Sequence, residues 1–158
     1  MKVQEKILDK VIDWIITTSA GQLIITKPLG ESAMADLVIE KRGKYYNEAK
    51  TYLQIRECEK NLSEKVYRAE VSEGEFEPNE NILLLFLYFD IVSQDITNIW
   101  LIPANVFPKI AKTVFSNDKK VLLFETSIDI EKRNQFSKFL VNKDDLSRVL
   151  KGTLSSNT

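Results

Sequence analysis

Ala35 to Lys50 reads ADLVIEKRGKYYNEAK. Ala35 to Arg42 has the composition of a β-strand, and so does Lys44 to Thr51. Gly43 sits between them as a turn residue, so the pair reads as a hairpin. Asp36, Glu48 and Lys50 all occupy even positions. With a three-residue loop of Arg42, Gly43 and Lys44, Asp36 lies opposite Lys50 and Glu48 opposite Val38. All three side chains then leave one face of the ladder. A two-residue turn puts Asp36 on the other face, unless a bulge restores the meeting. Both registers are open at the level of sequence.

Upstream, Val3, Ile7, Val11 and Ile15 fall at helical spacing, so Val3 to Ile16 reads as an amphipathic helix. Thr17, Thr18, Ser19 and Gly21 end it. Leu23 to Thr26 is a short strand stopped by Pro28 and Gly30. Downstream, Leu53 to Arg68 mixes charged and apolar residues and reads as a helix. Ser72 to Asn81 is an acidic loop with Gly74 and Pro78. Ile82 to Val92 is a nearly continuous apolar run, suited to the centre of a sheet. Asn98 to Ile102 and Lys120 to Glu125 read as further strands. Ala104 to Thr113, Ile130 to Leu140 and Lys143 to Leu150 read as helices. Residues 1–152 therefore form one expected α/β (α+β) domain with a mixed central sheet flanked by helices, and 153–158 an expected flexible tail.

The chain has 158 residues, 44% hydrophobic and 28% charged, with a net charge of −1. That is the composition of an ordinary globular domain. It contains no histidine, which excludes Ser-His-Asp and Cys-His hydrolases and imidazole-ligated zinc sites. The remaining chemistry belongs to carboxylates, lysine, hydroxyls or a hard metal ion. One cysteine, Cys58, allows no internal disulfide and fits a reducing cytoplasm. No apolar run is long enough to span a membrane.

Two carboxylates and an ammonium group suit phosphoryl chemistry. Asp36 and Glu48 offer the hard oxygens that Mg2+ (or Mn2+) prefers, and the Ala49 backbone carbonyl offers a third. Lys50 is then placed to orient or deprotonate the attacking water, or to stabilise developing charge. The bland alternative is a solvent-facing hairpin with cross-strand salt bridges of small energetic value. The acid-x-Lys spacing also occurs at Asp118-Lys119-Lys120.

Gly21 after the first helix, Lys27-Pro28-Leu29-Gly30, Ala35-Asp36-Leu37-Val38-Ile39 and Glu48-Ala49-Lys50 together resemble the PD-(D/E)xK nuclease superfamily. This group holds restriction enzymes and Holliday-junction resolvases. The likeness covers about the first third of the chain. Ala35 stands where the naming proline is found, and Asn47 precedes Glu48 in place of an apolar residue. The later Trp100-Leu101-Ile102-Pro103 looks like uncharacterised branches of the same superfamily. The resemblance implies a restriction-endonuclease-like fold, a metal at Asp36 and Glu48, and Lys50 near the water. It also implies a further acid from the first helix, Asp9 (or Glu5). The implied activity is divalent-metal-dependent hydrolysis of DNA phosphodiester bonds, with a homodimer if both strands are cut. Lys27, Arg42, Lys44, Gln54 and Arg56 are the candidate nucleic-acid contacts. Lys109, Lys112, Lys119 and Lys120 form a second basic group, readable either as a solvated face or as phosphate contacts. The alternative function is a catalytically inactive nuclease-fold binding or interaction module.

Overall fold

The computed structural model describes residues 4–28, 35–41, 50–75 and 77–156. Helix α1 (Glu5–Thr18) buries Ile7, Leu8, Val11 and Ile15. It closes where Ala20 and Gly21 turn left-handed (φ 52° and 75°) and the Gly21 N–H donates to the Ile16 carbonyl at 3.2 Å. Glycine takes that conformation without steric cost. Five strands follow: β1 (Leu23–Thr26), β2 (Leu37–Lys41), β3 (Lys50–Glu57), β4 (Glu59–Asn61) and β5 (Val66–Ser72). Next come β6 (Ile82–Asp90), β7 (Asp95–Pro103), the short helix α2 (Phe107–Ile110), β8 (Lys112–Ser116) and β9 (Lys119–Ser127). The two-residue strand β10 (Leu140–Val141) and helix α3 (Leu146–Ser156) finish the chain.

The strands make a six-stranded sheet ordered β1-β2-β3-β6-β7-β10 and a four-stranded sheet ordered β4-β5-β9-β8. β3 and β6 are parallel and every other neighbour pair is antiparallel. The architecture is a mixed α+β fold. β6 explains why Ile82 to Phe89 is nearly continuous in apolar residues, because both of its faces are covered. Leu83, Leu85 and Leu87 pack in one core with Ile7, Val11 and Ile15 of α1 and with Leu146, Leu150 and Leu154 of α3. Ile82, Leu84 and Phe86 pack in a second core with Tyr67, Val71, Leu122 and Phe124 of the smaller sheet. In that core the Phe86 and Phe124 rings stack, with centroids 4.3 Å apart and planes 8° from parallel.

Four expectations change. Leu53 to Arg68 is not a helix; it supplies most of β3, all of β4 and the start of β5. The deciding pattern is period two, with Thr51, Leu53 and Ile55 buried on one side of β3. Ala104 to Thr113 holds only the four residues of α2, after which β-branched Thr113 and Val114 enter β8. Ile130 to Leu140 is mostly irregular, ending in a 3-10 turn and β10. There Asn134 diverts the chain. Its side chain accepts from the Phe136 N–H at 2.9 Å and donates to the Glu125 carbonyl at 3.2 Å, bonds that compete with a helical ladder. At the C-terminus α3 runs on to Ser156, and Leu154, inside the expected tail, is buried. No helix among the described residues is long and apolar enough to cross a membrane.

Cys58 is buried between the two sheets, and burial pushes its thiol well above the ordinary range. The thiolate is the reactive form. Native protein at pH 8 is therefore expected to resist iodoacetamide, and urea-unfolded protein to be alkylated at the rate of a free thiol. Rapid labelling of the native chain would contradict this placement.

Candidate active site

The hairpin expected from the sequence is present, because β2 and β3 pair antiparallel. Its register differs from the three-residue-loop expectation. Glu40, not Asp36, lies opposite Lys50, and Leu37 lies opposite Leu53. One step beyond that last pair stand Asp36 and Gln54. The connection, 42–49, lies outside the described residues, so Arg42, Lys44, Glu48 and Ala49 carry no structural statement. Lys50 is exposed and sits four residues from Gln54 on β3. That is about 13 Å of strand.

Asp36 is held in place by backbone. Its N–H donates to the Leu53 carbonyl at 2.9 Å, and its carboxylate Oδ2 accepts from the Ile55 N–H at 2.6 Å. The carboxylate thus takes over the acceptor role where β2 has ended, which leaves the Ile55 donor satisfied. Burial raises the Asp36 carboxyl above its ordinary range, and the Ile55 N–H and the nearby Arg56 charge only partly oppose this.

Gln54 is buried at 8% exposure. Its Nε2 donates to the Glu75 carbonyl at 2.8 Å, while its Oε1 has no hydrogen-bond partner among the described residues. Arg56 is nearly as buried, with its side chain 11% exposed; it pairs with the Glu75 carboxylate through Nη1 and leaves a buried Nε without a hydrogen-bond partner among the described residues. Burial works against ionised Glu75, but Arg56 and a hydrogen bond from Ser72 outweigh it and hold the carboxyl below its usual range. Beside this cluster opens a groove of about 420 Å³, lined by Arg56, Glu57, Glu59, Arg68, Glu75 and Val121 among others.

The helix acids do not join Asp36. Lys27 Nζ binds Glu5 at 3.5 Å and Asp9 at 3.3 Å on an exposed face. That pairing raises the Lys27 ammonium above its ordinary range, led by the hydrogen bond to Asp9. Among the described residues, no three acids or thiols gather closely enough to hold a metal ion. Of the residues singled out from the sequence, the structure brings together Asp36, Gln54 and Arg56. Glu75 is not among them, because Ser72 to Asn81 reads only as an acidic loop. The overlooked signal was Gln54-Ile55-Arg56, which keeps the acid-x-Lys spacing with an amide and a guanidinium.

No family model and no curated protein matches the chain. A solved structure does, that of a bacterial homing endonuclease, I-Ssp6803I. The superposition covers 94% of this chain and 92% of that one, with a TM-score of 0.58 and 12% sequence identity. The fold is one that a homing endonuclease uses. At that identity the likeness concerns architecture, and the chemistry has to come from the residues.

Proposed function

We propose that this protein is a divalent-metal-dependent nuclease that hydrolyses DNA phosphodiester bonds at the Asp36 end of the β2–β3 hairpin. The observation that carries this is a half-buried, backbone-anchored carboxylate at Asp36, one register step from the buried Gln54, whose amide oxygen has no partner among the described residues. Magnesium commonly uses one or two carboxylates and fills its remaining positions with water and substrate phosphate oxygens. The Asp36 and Gln54 oxygens fit that donor set. When bound, such an ion supplies a more acidic water and neutralises phosphate charge.

The other roles fall to the chain itself. Asp36 is fixed before any ligand arrives, because Ile55 and Leu53 hold it, which limits reorganisation during reaction. Arg56 takes the place that Lys50 was expected to fill, with a planar guanidinium suited to phosphate oxygens. Glu75 orients it and the Gln54 amide together. Catalysis by Arg56 is electrostatic, since guanidinium does not deprotonate.

An amide in place of a second carboxylate favours one other reading, a nuclease-fold module that binds DNA without cutting it. Calorimetric titration with magnesium and manganese, followed by plasmid nicking, separates the two. Wild type is expected to bind metal and nick. Arg56→Ala is expected to nick about 100-fold more slowly, and Gln54→Ala to bind metal about tenfold more weakly. Lys50→Ala should stay close to wild type. A wild type that neither binds metal nor nicks would discard the nuclease reading in favour of the module.

A further inference from the structure

We infer that the β8–β9 hairpin is a DNA-gripping arm that enters the major groove of the duplex presented to the Asp36 site, an inference that rests on the nuclease reading above. The chain as a whole is nearly neutral, at −1. Positions 109–120 nevertheless hold four lysines and one acid, Asp118. Lys109, Lys112 and Lys119 are exposed and make no ion pair among the described residues. Only Lys120 is paired, to Glu73 at 3.0 Å.

The hairpin has the form of a probe. Asn117 and Asp118 both have positive φ (52° and 63°), which gives a tight two-residue turn and fixes the strand ends. Beyond Val114 opposite Val121, the last two pairs are Phe115 with Lys120 and Ser116 with Lys119. Phe115 is 76% exposed. Lysines on an edge strand commonly just discourage aggregation. A strand protected for that reason alone has no use for an exposed phenylalanine, which invites the contact the lysines prevent.

Phosphates match the lysines, and a two-stranded ribbon fits the width of the major groove, where an apolar ring can meet a thymine methyl. The arm is also continuous with the candidate site. Val121, next to Lys120, lines the groove that holds Arg56 and Glu75, and Glu73 and Glu75 share one 3-10 turn. Duplex gripped by the arm therefore lies beside Arg56.

The test is fluorescence anisotropy with a labelled DNA duplex over a series of salt concentrations without divalent metal, so that binding is read apart from cleavage. Lys112→Gln/Lys119→Gln should weaken binding at least tenfold and lower the salt slope by about 2. Phe115→Ser should weaken it at unchanged slope. The control Lys151→Glu, on α3 in the opposite layer, should bind like wild type. Circular dichroism melting confirms that each variant folds. If wild type binds duplex and the arm variants bind equally well, the arm is refuted and the nuclease reading stands. If binding depends on the arm but wild type never nicks, the arm stands and the nuclease reading falls. A wild type without duplex affinity overturns both.

Discussion

Asp36→Asn should abolish metal-dependent nicking while leaving the protein as stable as before, or more so, at neutral pH. Asparagine keeps an oxygen for the Ile55 N–H but loses the charge that draws a cation, and a loss of at least 100-fold in nicking is expected. The stability sign follows from the raised carboxyl of Asp36. Between the ordinary carboxylate value and the raised one, the folded state binds more protons than the unfolded state. Stability therefore falls as pH rises through that window, and at pH 7 the ionised, half-buried group is a net cost. Asparagine removes that cost, so the variant's melting temperature should match or exceed that of wild type at pH 7. The difference should vanish below the ordinary carboxylate range, where both side chains are neutral. The same shift moves the acid limb of the wild-type nicking profile upward, because a proton and a cation compete for Asp36. A variant that unfolds at pH 7 would make Asp36 a structural residue and remove the basis for the site.

Phe86→Ala should produce the largest loss of stability. Phe86 is fully buried in β6, stacked on Phe124 and also in contact with Phe107. Truncating a buried phenylalanine costs about 3–5 kcal/mol, from lost transfer energy and the cavity left behind. Domains are commonly stable by only about 5–15 kcal/mol, so the variant approaches the unfolding threshold. Urea denaturation followed by tryptophan fluorescence measures this directly, since Trp100 lies at the edge of the same cluster, 5.3 Å from Phe124. A change below about 1 kcal/mol would mean that the two sheets are not joined through this stack. The exposed Phe115 serves as the contrast, with a cost near zero for Phe115→Ala.

Elements were legible where one periodicity ruled. α1 showed its buried stripe and β6 its apolar run, because α1 buries one face and β6 buries both. The β3–β5 segment misled because its charges, from Arg56 to Arg68, fall at intervals that also suit a solvated helix. Only the partner sheet decides that Tyr67, Ala69 and Val71 face inward. Asp36 was legible as a lone acid opening an apolar strand. Its partners were not, because register depends on pairing across β2 and β3, and a shift of four positions exchanges Lys50 for Gln54. The contact from Glu75 joins positions that no local pattern links, and the turn that carries it appears in the sequence only as an acidic loop.

The route of the chain between the two sheets has a consequence for how the molecule is made. It lays down β1 to β3 in the larger sheet, crosses to the smaller for β4 and β5, and returns for β6 and β7. It then crosses again for β8 and β9 and returns for β10. The parallel β3–β6 seam at the centre cannot close until the intervening β4–β5 excursion has been drawn back. No single cut releases one sheet without taking strands of the other. Gene fragmentation or limited proteolysis should give no separately stable half, and such sequence-distant pairing sets folding on the slower, millisecond-to-second scale.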